Sequence, residues 1–358
     1  MNTLETKPCN IKSANELDKN DPLSHFRERF HFPKFNSNKP YIYFSGNSLG
    51  LQPDTAEQYV KEELEAWKQM GVNAHLGAKR PWLAYHEFLT SYSAEIVGAQ
   101  DKEVVVMNAL TVNLHLLMTS FYRPKGVRKK ILIEKHAFPS DRYAIQSQLR
   151  FHGNDPNDDL IILESNDGKF ISMNTIVDYL SNYGEEIALV LIGGVNYYTG
   201  QAFDMAAITD KAQNCGCRVG FDLAHAAGNI KLNLHDWGVD FAAWCGYKYL
   251  NGGPGAPSGV FIHERHLGRS DVPRFEGWWG HDKSTRFDML EDYKPLDTVE
   301  AWQLSNPPIL SMAALLASLE IFQKAGMKSL RQKSEKLTSY LEMLINSELG
   351  KQIEIITP

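Results

Sequence analysis

An α/β fold with a mainly parallel sheet is what the chain predicts, on two observations. Short apolar runs alternate with helical segments through its middle, and turn residues separate them. The composition agrees: 43% hydrophobic and 22% charged residues suit a globular protein with a sizeable core. At 358 residues the chain exceeds one average domain, so a large domain with a smaller appendage is expected.

The elements follow in order. Residues 1–21, MNTLETKPCNIKSANELDKND, are polar and lack the apolar core of a signal peptide. DTAEQYVKEELEAWKQM, residues 54–70, joins an acidic first turn to apolar residues at helical spacing and predicts an amphipathic helix. EVVVMN then precedes TVNLHLLMTSFY, KKILIE precedes DRYAIQSQLR, and LIIL precedes TIVDYLSNY. IALVLIGGV leads into DMAAITDKAQNCG, then RVGFDLAHA and VDFAAWCGYKYL. Strand and helix repeated this often build a parallel sheet flanked by helices. After Asn306-Pro307-Pro308, two helices are expected over 309–326 and 327–348, with the prolines where a helix start tolerates them. QIEIITP at the end alternates like a strand, and an unpaired strand is costly, so it is expected to open a small C-terminal domain that continues beyond this chain. The expected division is 1–70 as an N-terminal part of a small domain, 71–306 as the large domain and 307–358 as the start of the C-terminal part.

Several function classes are disfavoured. A net charge of −6, with Arg128-Lys129-Lys130 as the one dense basic run, does not suit a polyanion binder, so neither nucleic acid nor a membrane is expected as partner. Cys9, Cys215, Cys217 and Cys245 fit neither a secreted disulfide framework nor a paired zinc site, and a reducing cytoplasm is the expected home. The most apolar stretch, Ile187 to Val195, falls far short of the roughly 20 residues that span a bilayer. His263-Glu264-Arg265-His266 lacks the H-E-x-x-H spacing, and no metal is expected.

The chemistry concentrates in two segments. Asp222 falls at the end of one predicted parallel strand and Lys248 just after the next, so both side chains reach one crevice at the sheet edge. A carboxylate that keeps a pyridine nitrogen protonated, paired with an amine that captures an aldehyde, is the requirement of pyridoxal-phosphate chemistry. Taken singly, such an Asp is often a helix cap and such a Lys a solvated charge. Gly252-Gly253-Pro254-Gly255 favours the ligand reading, because small residues let backbone pass close to a bulky group. Neither a P-loop nor G-x-G-x-x-G is present.

A phosphate site is suggested at Ala109-Leu110-Thr111, where strand gives way to helix, although Thr111 also reads as a simple cap. Phe138-Pro139-Ser140-Asp141 is a similar junction: Phe138 can stack on a planar ring, and capping plus a core aromatic remains the alternative. His225 lies three residues after Asp222 and can join the same pocket or serve structure alone.

Together YFSGNSLGLQP, AKRPW, NALTVNLH, AFPSD, YYTGQ, GFDLAHAAGN, HDWGVDFAAWCGYKYLNGGPG, GWWGH, STRF and SNPPIL resemble the kynureninase family, in family order over nearly the whole chain. The resemblance implies the aminotransferase-like architecture of fold type I pyridoxal-phosphate enzymes and a homodimer with shared active sites. It implies hydrolysis of L-kynurenine or 3-hydroxy-L-kynurenine to an anthranilate and L-alanine. Lys248 then holds the cofactor, Asp222 partners its ring nitrogen, and Tyr247 sits near the phosphate and relays protons. Leu110 and Thr111 match the phosphate turn, Phe138 to Asp141 the segment flanking the ring, and His225, Trp278 and Asn306 further cofactor contacts, the last two reaching across the dimer. Ser48, His75 and Asn306 match positions near the aromatic end of the substrate.

Two departures stand out. Gly193 replaces a serine the family can use at the cofactor, and the family's carboxylate-binding arginine has no counterpart up to Pro358. Two other readings stay open: another fold type I enzyme, such as a cysteine desulfurase or aminotransferase, and a truncated chain that binds cofactor with impaired catalysis.

Overall fold

A computed structural model of the chain describes residues 10–34, 38–165, 168 and 170–358. Cys9 lies outside them.

Helix α1 (Ile11–Lys19) leads to the two-residue strands β1 (Phe30–His31) and β2 (Gln52–Pro53), which pair antiparallel. Helices α2 (Ala56–Met70), α3 (Ala74–Gly77) and α4 (Glu87–Val97) follow. The central alternation then runs β3 (Val104–Met107), α5 (Leu110–Phe121), β4 (Lys130–Glu134), α6 (Pro139–Phe151), α7 (Pro156–Asp159), β5 (Leu160–Leu163), α8 (Met173–Tyr183), β6 (Ile187–Gly193), α9 (Met205–Asn214) and β7 (Arg218–Asp222). Strands β8 (Phe241–Trp244) and β9 (Ser258–Ile262) complete the sheet, and α10 (Ile309–Ala325) and α11 (Met327–Glu348) close the chain.

The sheet has seven strands in the order β3-β9-β8-β7-β6-β4-β5. Neighbours from β8 to β5 pair parallel, while β9 runs antiparallel to both β3 and β8. The predicted parallel sheet therefore carries one reversed strand. Both faces are covered, so strands are apolar throughout but still alternate in direction. Val104, Val106, Leu132, Val190, Val219 and Phe221 enter the core shared with α4, α8, α9 and α10. Val105, Met107, Ile131, Ile133, Leu189 and Leu191 enter the core under α5 and α6.

Helix α10 contributes Met312, Ala313, Leu315, Leu316 and Leu319 to the first core and packs on α2 and α4. The C-terminal expectation fails in one respect: residues 353–358 form no strand, and Ile353, Ile355 and Ile356 stay exposed. His266, in the histidine pair singled out above, is spent on structure, with Nε2 2.7 Å from the buried Asp240 carboxylate. Among the described residues no single helix is long and apolar enough to cross a membrane.

Candidate active site

Parallel strands bring their C-terminal ends to one edge, and that edge holds the cavity. Beyond β8 the chain turns sharply through Cys245-Gly246-Tyr247-Lys248. Gly246 accepts the Gly252 N–H at 2.9 Å, and a Cβ added to it would stand 2.2 Å from the Pro257 carbonyl oxygen. Only glycine permits that closure, which brings Lys248 to line the cavity at 9% exposure. From the other side, Gly50 donates its N–H to the Tyr247 carbonyl at 2.9 Å, with an added Cβ only 2.4 Å from the Lys248 carbonyl oxygen. The N-terminal S-G-N-S-L-G segment thus braces the lysine loop.

Lys248 Nζ lies 3.0 Å from His225 Nε2 and 5.7 Å from the centre of the Phe138 ring. Burial, aided by the lysine charge, pushes the His225 imidazole down to about 4. It is therefore neutral near pH 7, and a neutral ring can accept a hydrogen bond from the lysine.

Three carboxyl groups form the other wall: Glu134 ends β4, Asp222 ends β7 and Asp141 lies in the first turn of α6, at 4%, 7% and 8% exposure. Asp222 Oδ1 accepts the Ala224 N–H at 2.7 Å. Asp141 and Asp222 also share a hydrogen bond, which two carboxylates make only by sharing a proton. Burial raises both, and Asp222 drives Asp141 further upward by its charge and by accepting from it, whereas Asp141, Ala224 and Lys248 favour the Asp222 anion. Asp141 is the neutral member and Asp222 the anion. Glu134 is pushed up to about 7, chiefly by burial.

The far end suits an anion. Helix α5 has no side-chain cap at Ala109, which leaves first-turn amides for a ligand. Asn108, with φ +50°, makes the turn into it: its Nδ2 donates to Asn113 Oδ1 at 3.0 Å, and Asn113 Nδ2 donates to the Met107 carbonyl at 2.8 Å. Thr111 Oγ1 lies 2.8 Å from Ser140 Oγ, so the starts of α5 and α6 converge. The cavity measures about 240 Å³. One end offers two hydroxyls and free amides, the middle an amine and the floor a carboxylate, and the buried Asp141 Oδ1 and Glu134 Oε2 lack partners. A pyridine phosphate aldehyde fits that donor set.

Of the expected site residues, Leu110, Thr111, Phe138, Ser140, Asp141, Asp222, His225, Tyr247 and Lys248 meet in this cavity. The other five do not line it. Pro139 opens α6 and faces an adjoining cavity, and Trp278 donates Nε1 to the Arg286 carbonyl at 2.9 Å. Asn306 and Ser48 are exposed, and His75 donates Nδ1 to the Val72 carbonyl at 3.0 Å. The Gly252–Gly255 loop does not line the cavity either. Gly252 is small because Gly246, Ala256 and Leu315 press on it, an added Cβ meeting all three within 2.9 Å. Glu134, Cys245, Tyr197, Val195 and Ala224 line the site without having been expected there. Glu134 and Cys245 each end or follow a predicted strand on the edge that holds Asp222, which was the available signal.

The fold and the site define a pyridoxal-phosphate-dependent enzyme: residues 44–357 match the family described as aminotransferase class-V. The architecture is shared with a cysteine desulfurase of Escherichia coli at TM-score 0.71, covering 92% of this chain and 77% of that one; at 17% identity the likeness is one of fold alone. The chain is 55% identical to the kynureninase of Myxococcus xanthus, over 96% of its own length and 81% of that protein's. It is 54% identical to the kynureninase of Koribacter versatilis, over 96% and 82% respectively. The chain belongs to the kynureninase family.

Proposed function

We infer that this chain hydrolyses the Cβ–Cγ bond of L-kynurenine or 3-hydroxy-L-kynurenine, releasing anthranilate or 3-hydroxyanthranilate and L-alanine. The observation that carries the reading is Lys248 Nζ, 3.0 Å from a neutral imidazole and lining the same cavity as Asp222, in a chain 55% identical to a kynureninase.

Pyridoxal phosphate, when bound, supplies a ring that takes up the electron pair left at the substrate's α-carbon. Asp222, as the anion of the pair, would accept from the ring nitrogen and keep it protonated. Asp141 supports that charge by carrying the proton of the pair. Lys248 would hold the cofactor at its aldehyde carbon and, as a free amine, would be the base for the substrate's α-proton. Neutral His225 accepts a hydrogen bond from Lys248 and so orients the amine. Burial and the neighbouring Cys245 thiol push the Tyr247 phenol up to about 12, so it stays protonated near pH 7 and can deliver a proton during cleavage. The Leu110 amide with Thr111 and Ser140 would hold the phosphate, Phe138 would cover the ring, and Pro139 fixes the turn that presents it. In a cytoplasmic homodimer, Trp278 and Asn306 reach the neighbouring subunit's cofactor. Ser48, His75 and Asn306 meet the aromatic end of the substrate.

The desulfurase fold neighbour suggests a second chemistry, which needs a thiolate on a mobile segment. Among the described residues Cys215 and Cys217 sit in the turn between α9 and β7, away from the cavity, and burial pushes the Cys245 thiol up to about 11. A neutral, buried thiol does not serve that purpose.

Incubating the cofactor-loaded protein with each substrate and quantifying products tests the reading. An anthranilate and alanine in equal amounts are expected, with Lys248→Ala at least about 1,000-fold slower. Sulfide or a keto acid as product, or a Lys248→Ala variant near wild-type rate, would overturn it.

A further inference from the structure

Glu134 lines the cavity, yet nothing in the mechanism above employs it. Its Oε1 accepts the Gly193 N–H at 3.2 Å. A Cβ added to Gly193 would stand 2.9 Å from that oxygen, so the carboxyl group fills the room a side chain at 193 would need. Its Oε2 is buried without a partner. The neighbouring Asn196 Nδ2 favours the Glu134 anion but is shared with the carbonyls of Lys135 and His136 at 3.3 and 3.2 Å. Burial, with the Asp222 charge acting the same way, pushes Glu134 up to about 7 against the pull of the Glu134 and Gly193 amides, so below that pH its undonated oxygen carries an O–H at the cavity wall with no acceptor among the described residues.

The cofactor has four polar points. Its ring nitrogen belongs to Asp222, its phosphate to the converging starts of α5 and α6, and its aldehyde carbon to Lys248. The phenolic oxygen remains. Strand order agrees: counting along the edge from the phosphate turn after β3, the ends of β6 and β4 lie beyond Asp222 on β7. We propose that Glu134, as a neutral acid, donates a hydrogen bond to the phenolic oxygen of bound pyridoxal phosphate. The inference rests on the assignment of Lys248 and Asp222 made above and adds a binding residue to it.

Glu134→Gln keeps a donor that cannot ionise, and Glu134→Leu removes it. The readouts are the cofactor Kd and the absorption spectrum of the bound cofactor, both without substrate. At pH 6, Glu134→Gln is expected to match wild type, while Glu134→Leu binds roughly 10-fold more weakly and shows an altered spectrum. Between pH 6 and 9 wild type is expected to lose affinity as Glu134 ionises, and Glu134→Gln to lose less. Asp141, Asp222, Lys248 and His225 on the cofactor side, and Lys135, His136 and Glu164 on the adjoining side, remain in both proteins, so the comparison isolates Glu134. The proposal is overturned if Glu134→Leu binds and absorbs like wild type, or if Glu134→Gln is as impaired as Glu134→Leu. Should Glu134→Leu not fold, Glu134→Gln following the wild-type pH profile overturns it equally. Borohydride tagging of wild type separates the two levels: no tag on Lys248 sinks the underlying site, whereas a tag with either contrary result sinks Glu134 alone.

Discussion

Asp141 and Asp222 hold one proton between two buried carboxyl groups, and that division decides whether the cofactor's ring nitrogen meets a negative charge. Asp222→Asn keeps the shape and removes the charge. Steady-state kinetics are expected to show a loss on the order of 10² to 10³ in kcat, with cofactor still bound; an unchanged kcat would count against the assignment. Two other groups in the cavity act on stability with opposite sign. His225 falls to about 4 in the folded chain, so the unfolded chain binds more protons between there and its ordinary value near 6.5, and stability rises with pH across that window. Glu134 rises from 4.5 to about 7, so the folded chain holds the extra proton and stability falls across that window. Urea midpoints from pH 4.5 to 6.5 are expected to climb more steeply in Glu134→Gln than in wild type. Asp222 and Lys248 were legible because each sits at or just past a strand end. Glu134 ends a strand as well, but its burial comes from β6 and β5 pairing on either side of β4, and nothing local in K-K-I-L-I-E reports that.

Helix α2 braces the segment before α4 through one buried carboxylate. Glu63, 2% exposed, accepts from Arg80 Nε at 3.0 Å, Trp82 Nε1 at 2.9 Å and Tyr85 Oη at 3.1 Å. Glu63→Ala leaves the Trp82 and Tyr85 donors without their acceptor and Arg80 with only Glu62 and Tyr85, and is expected to cost about 3 kcal/mol in urea unfolding, a loss below about 1 kcal/mol being contrary to this account of the contact. Most elements could be read from the chain because period-two and period-3.6 patterns alternate between clear turn signals. S-G-V-F-I was missed as β9. It is five residues long and emerges from a Gly-Pro loop, and its reversed place between β3 and β8 depends on partners far away in sequence. The opposite error, Q-I-E-I-I-T-P, shows that alternation without a partner strand does not make a strand.

At the scale of the whole molecule, Ile42, Phe44, Val72 and Leu76 are each more than three-quarters exposed, and Trp67 is 62% exposed. So much uncovered apolar surface fits the proposed homodimer. Sedimentation is expected to give twice the chain mass, and co-expressing Lys248→Ala with Trp278→Ala to restore about a quarter of wild-type activity over the whole population, the mixed dimers having one intact site of two. A monomer, or no recovery on mixing, would argue against sites shared between subunits. The most direct test of the central claim is borohydride reduction of the cofactor-loaded protein followed by peptide mapping. The cofactor should be found fixed to Lys248 within the G-Y-K-Y-L peptide; attachment to any other lysine, or to none, would contradict it.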